Sequence, residues 1–186
     1  MGEKKTSTRV AKEGSEVVLS AMSAKGAFKG YASVFGVVDS HGDVVMPGAF
    51  QQNLKSWKRL KNWPKLLWQH DATQPIGYIT KLYEDAVGLV MEAQLLLELP
   101  KAQEAYALIQ NGVLDGLSIG YKVLKSISKK RGQGRYLKHI NLFEVSLVTF
   151  PSNDAATVHD VKKSGEISDA RLIDVLDQLR GALKCV

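Results

Sequence analysis

A serine between two glycines, a histidine at the end of one apolar run and a glutamate inside another are the residues here best suited to chemistry. Ser118 stands in Asp115-Gly116-Leu117-Ser118-Ile119-Gly120-Tyr121. A serine hydroxyl attacks a carbonyl once a neighbouring base takes its proton, and histidine is the usual base. The chain has four histidines, His41, His70, His139 and His159. His70 ends the run Leu66-Leu67-Trp68-Gln69-His70-Asp71, where a strand is expected to enter a loop containing Thr73, Pro75 and Gly77. Such a junction is open to solvent yet held by the scaffold; a surface histidine at a turn fits the same residues. Glu144 lies in Leu142-Phe143-Glu144-Val145-Ser146-Leu147-Val148. A carboxylate in so apolar a strand is costly unless paired or wet. It is either an acid that orients an imidazole or an outward-facing residue on a half-exposed strand. Glu144 and Ser146 share parity and His139 has the opposite one, so on a regular strand only Glu144 or His139 faces a common site.

The serine string has the form G-x-S-x-G of a hydrolase nucleophile elbow, but an elbow must lead into a helix, with an acid and a histidine downstream. Here Ile119, Tyr121 and Val123 continue a strand, and too few residues follow for the rest of that fold. As a strand, the segment puts Leu117, Ile119, Tyr121 and Val123 on one face and Ser118, Gly120 and Lys122 on the other. Gly120 leaves open space beside the Ser118 hydroxyl, and glycine inside a strand often marks a close approach. A barrel strand with a small serine and a glycine bend accounts for the same pattern.

Other polar clusters carry less. Asp39-Ser40-His41-Gly42-Asp43 lacks the further ligands of a calcium loop and reads as a polar turn. The basic stretch Lys125 to Arg135 has no interleaved aromatics and reads as a solvated hairpin loop, so no nucleic-acid partner is expected. No metal or cofactor is expected either. The 186 residues carry a formal charge of +6, 45% apolar residues and one cysteine, Cys185. These values fit a folded domain and exclude a disulfide-framed module. No apolar run approaches the ~20 residues of a membrane span, and a reducing cytoplasm is the expected address.

The elements that must position these residues are mostly strands. Val17-Val18-Leu19 and Phe28 to Phe35 suggest a hairpin about Lys25-Gly26, and Pro47 is expected to open a helix with Phe50, Leu54 and Trp57 inward. Ile76 to Leu82 and Leu89 to Leu97 suggest a second hairpin. A helix follows from Pro100 to Asn111 with Ala102, Ala105, Tyr106 and Ile109 inward, then strands from Leu114 to Leu124 and from Tyr136 to Thr149. Residues 1–14 read as a flexible arm, 15–160 as the domain, and 161–186 as a linker and amphipathic helix. That helix places Leu172, Leu176, Leu179 and Leu183 at heptad spacing, a seam suited to self-association. The expected fold is a β-rich α+β domain, a barrel-like and mostly antiparallel sheet flanked by a few helices.

Several segments together resemble one family. Gly30-Tyr31-Ala32-Ser33-Val34-Phe35, Asp39-Ser40-His41-Gly42-Asp43-Val44-Val45 and Pro47-Gly48-Ala49-Phe50 resemble the N-terminal signature of tailed-phage prohead maturation proteases. Leu67-Trp68-Gln69-His70-Asp71, the Ser118 string and Phe143 to Pro151 follow in family order. The resemblance implies a serine peptidase with a fold akin to herpesvirus assemblin, and no cofactor. It maps His70 to the base, Ser118 to the nucleophile and Glu144 to the third member, where related viral enzymes use a second histidine. It also implies action inside the assembling prohead, in the host cytoplasm. The substrates would be a scaffolding protein, the scaffold domain of the major capsid protein, and the protease itself. The alternatives are a catalytically idle capsid-assembly or scaffold protein, and a small-ester hydrolase.

Overall fold

A computed structural model describes residues 25–60 and 62–161. The first strand of the expected N-terminal hairpin, the arm over 1–14 and the C-terminal helix lie outside the described residues.

Eight strands form one sheet: β1 (Ala27–Val34), β2 (Val44–Val45), β3 (Lys65–Trp68), β4 (Asp71–Glu84), β5 (Gly88–Leu95), β6 (Gly116–Ser128), β7 (Arg135–Val148) and β8 (Val158–Val161). The order is β2-β7-β3-β4-β5-β1-β8, with β6 on the other edge of β7. Pairing is antiparallel except where β2 and β3 run parallel to β7. The β6 and β8 ends of the sheet approach each other through a single bridge, Gly116 to Thr157. The sheet therefore curls but does not close, and the expected barrel is an open one.

Helix α1 (Gln51–Leu60) packs over β4 and β7, and α2 (Pro100–Gln110) over β4 and β5. Helix α2 turns Ala102, Ala105, Tyr106 and Ile109 inward, as its apolar spacing requires. Helix α1 starts four residues after Pro47, a correction to the sequence expectation. Gly48 sits at φ +87°, a left-handed conformation that no α-helix contains, so residues 47–50 form a turn. The core joins Phe28, Phe50, Leu89, Met91, Leu117, Ile140, Leu142 and Leu147 with the inner face of α2. No helix of the described residues is long and apolar enough to cross a membrane.

Candidate active site

Strands β6 and β7 pair along most of their length, setting Ser118 opposite Ser146 and Gly120 opposite Glu144. A β-carbon built on Gly120 would overlap Glu144 Oε1. The carboxylate therefore lies across the glycine, on the face that Ser118 shares by parity. The space that Gly120 leaves is filled by this carboxylate. The regular alternation expected beyond it ends at a bulge between Gly120 and Tyr121.

His70 reaches the same face by another route. Leu66 and Leu67 are buried apolar residues, and β3 lies parallel to β7 with Trp68 beside Leu147. The chain then turns in two residues, Gln69 and His70, into β4; Trp68 pairs with Asp71. Thr73, Pro75 and Gly77 thus belong to a strand and not to the expected loop. Gln69 and His70 have φ of 50° and 61°, the two left-handed residues that a tight right-twisting hairpin demands. Neither is glycine, and each such residue costs about 1–2 kcal/mol. Hydrogen bonds to β7 and the segment after it offset this. The Gln69 N–H donates to the Leu147 carbonyl at 2.9 Å, and its side-chain amide donates to Thr149 Oγ1 at 2.8 Å. The His70 N–H donates to Ser146 Oγ at 3.1 Å.

The imidazole Nδ1 stands 2.6 Å from Glu144 Oε1, and Ser146 Oγ donates to Glu144 Oε2 at 2.7 Å. A carboxylate only accepts, so Nδ1 carries the proton and Nε2 is left with its lone pair. This bond, the largest influence on His70, raises its pKa above the ordinary 6.5, against the opposing effect of burial. Ser118, 6% exposed, and His70 line one cleft of about 500 Å3, with Asp39, His41, Asp43 and Arg135 further along it.

The remaining expectations sort cleanly. His139 pairs with Lys125 further along β7 and does not line the cleft; His159 stacks edge-on against Tyr31 at 5.3 Å. Asp39 organises the polar turn, Oδ1 accepting from the His41 and Asp43 N–H groups. Asp43 is buried and held by Arg135 (2.6 Å from Nη2 to Oδ2), which lowers its pKa. Among the described residues, no three His, Cys, Asp or Glu side chains gather as a metal site. Ser146, which ties the His70 backbone to the Glu144 carboxylate, carried no expected role; its shared parity with Glu144 was the available signal.

Residues 15–170 match the family model described as caudovirus prohead serine protease. The chain belongs to that family. The prohead protease of Enterobacteria phage HK97 is 35% identical over 161 residues, which cover 86% of this chain and 69% of that protein. The prohead protease of Escherichia phage T5 is 32% identical over 124 residues, covering 67% of this chain and 58% of that protein. Among solved structures, the bacteriophage T4 capsid assembly protease matches with a TM-score of 0.52 at 12% identity, over 66% of this chain and 82% of that one. At that identity the likeness concerns the fold alone. Membership of a prohead protease family accords with the expected blocks, which recur here as β1, the polar turn, the His70 hairpin and the β6–β7 pair.

Gly120 gives a sharp test of the site's construction. Gly120→Ala drives a methyl group into the Glu144 carboxylate, so His70 loses its anchor. The family's peptidase activity is expected to fall by about 10²–10⁴-fold, the range for losing the acid of such a constellation. The His70 imidazole titration, followed by NMR, should move to lower pH in the same variant. An unchanged titration would mean that the carboxylate does not depend on the glycine.

Proposed function

We propose that this chain is a serine endopeptidase of capsid maturation, with Ser118 as nucleophile, His70 as base and Glu144 as the acid that orients it. The observation that carries this is the 2.6 Å bond between His70 Nδ1 and Glu144 Oε1, in a cleft shared with Ser118. In the first step Ser118 Oγ attacks the scissile carbonyl and its proton passes to His70 Nε2. The imidazolium so formed faces Glu144, which stabilises its charge. Collapse of the tetrahedral adduct returns that proton to the leaving amine and leaves an acyl-serine. Water, deprotonated by the same Nε2, then releases the acid.

Its substrates are the scaffolding protein or the scaffold domain of the major capsid protein, and the protease itself, cut inside the assembling prohead. The division into an arm, a protease domain over 15–160 and a linker with a self-associating helix over 161–186 rests on the sequence. The intact trio of side chains favours an enzyme over an idle assembly protein. Incubation of the purified chain with its scaffold-bearing capsid protein, and mass spectrometry of new termini, tests the reading. Defined new termini are expected. Hydrolysis of small esters without any new terminus would instead favour the esterase.

The His70–Glu144 bond fixes the pH behaviour. A base must be neutral, and the His70 pKa lies above 6.5, so kcat/KM should rise with pH through that raised value. Stability moves the other way. The raised pKa contributes stability that is fully present below 6.5 and is lost as pH climbs through the folded value. Glu144→Gln removes the cause: the acidic limb should move to lower pH while turnover drops about 10²–10⁴-fold. His139→Gln should leave both nearly unchanged. A pH–rate profile of the two variants decides, and an unmoved limb in Glu144→Gln would exclude Glu144 as the partner of the base.

A further inference from the structure

The proposed nucleophile stands where one edge of the sheet opens. On the side away from β7, strand β6 is paired at its start alone. There the Val158 N–H donates to the Asp115 carbonyl at 2.7 Å, and the Leu117 N–H donates to the Ala156 carbonyl at 2.8 Å. Successive residues of a strand present their N–H and C=O groups to opposite sides. Asp115 and Leu117 therefore face β8, Gly116, Ser118 and Gly120 face β7, and Ile119 and Tyr121 again face away from β7. The bulge between Gly120 and Tyr121 leaves this alternation intact. Its extra residue, Phe143, lies on β7, since Gly120 pairs with Glu144 and Tyr121 with Leu142.

Beyond Leu117 that edge has no partner strand. Among the described residues, the main-chain N–H and C=O groups of Ile119 and Tyr121 make no hydrogen bond. Ile119, Gly120, Tyr121 and Val123 are all partly exposed and line the cleft, so the cleft runs along the open edge. An unpaired edge of this kind is a template for one more strand. It begins directly beside Ser118, so a chain laid along it passes the hydroxyl that would attack it.

We propose that the substrate binds as an additional strand of the sheet, an extended peptide hydrogen-bonded through its main chain to Ile119 and Tyr121. The assignment rests on the serine endopeptidase reading. Recognition of this kind uses groups that every peptide carries, so affinity comes from an extended conformation before it comes from any one side chain. The same sequence folded as a helix has its N–H groups engaged and is left uncut.

The test uses the full chain and a synthetic peptide spanning a cut that the chain makes in a pool of proteome-derived peptides. The peptide is N-methylated at one position at a time, the scissile amide excepted, and kcat/KM is measured for each. N-methylation removes one main-chain donor and leaves every side chain in place. The substrate N–H groups that meet the Ile119 and Tyr121 carbonyls are two residues apart. Losses of about 10- to 100-fold are therefore expected at two alternate positions, with little change at the position between them. On the enzyme, Tyr121→Pro deletes an outward N–H that the β6–β7 ladder does not use, so the protein should fold. Its kcat/KM should lie about 10-fold below that of Tyr121→Val, which keeps the N–H. A scan without alternation overturns the assignment, and so does equal activity of folded Tyr121→Pro and Tyr121→Val. A wild-type dimer in light scattering that Tyr121→Pro dissociates also overturns it, since the edge then belongs to a second copy. A wild-type chain that yields no new termini from the pool or from the capsid protein overturns the endopeptidase reading, a failure distinct from a flat scan in a chain that cuts.

Discussion

Ser118→Ala is expected to abolish cleavage, with a loss on the order of 10⁶ in turnover. Removing Oγ leaves the carbonyl with no protein nucleophile, and what survives is the modest rate that binding and backbone donors supply. The fold should be untouched. Ser118 sits in the middle of the β6–β7 ladder, where backbone bonds set the register, and Oγ has no structural hydrogen bond among the described residues. The decisive measurement pairs single-turnover processing of the proposed capsid substrate with a thermal melt and a fluorophosphonate label. A folded variant that still processes at near wild-type speed would remove Ser118 from the mechanism.

His70→Ala should be nearly as damaging, because nucleophile and base act as one unit and their losses do not add. The double variant should therefore be little worse than either single one. His70→Ala differs in leaving Glu144 without the Nδ1–H it accepts from and a left-handed turn position occupied by alanine. Its melting temperature should fall most at pH near and below 6.5, where the imidazolium otherwise contributes. His41→Ala and His159→Ala should be mild, since neither ring contacts Glu144 or Ser118. A folded His41→Ala protein with turnover as low as His70→Ala would relocate the base.

The sequence carried most of this architecture because its apolar alternation is strong. Leu66-Leu67, Leu89 to Leu95 and the stripe Ala102, Ala105, Tyr106 and Ile109 each announce their element. Parity made Glu144 and His139 exclusive only on a regular strand, and the family resemblance chose Glu144. Strand β7 is bulged between the two, which breaks that parity, and the 2.6 Å contact with His70 is what distinguishes Glu144. Three features escaped. The Gln69-His70 turn lacks the Asn-Gly chemistry that marks tight hairpins, since its stability comes from bonds to β7 and Thr149 rather than from local preference. The start of α1 was read from Pro47 because a left-handed Gly48 leaves no periodic trace. The open edge beside Ser118 depends on where pairing with the chain before β8 stops, which a single sequence does not mark.

The parallel contact between β3 and β7 also has a consequence for when activity can arise. Ser118 and Glu144 belong to one hairpin, whose strands meet early and locally. His70 joins them only through bonds to Ser146 and Glu144, spanning 76 and 74 residues of chain. Closing so long a loop is among the slower steps of folding, since the ordering entropy is lost before the contacts form. Every partly folded species that lacks the β3–β7 contact therefore holds the proposed nucleophile without its proposed base. On the proposed roles, a newly made chain gains activity only once this long-range pairing has formed, a delay that needs no inhibitor.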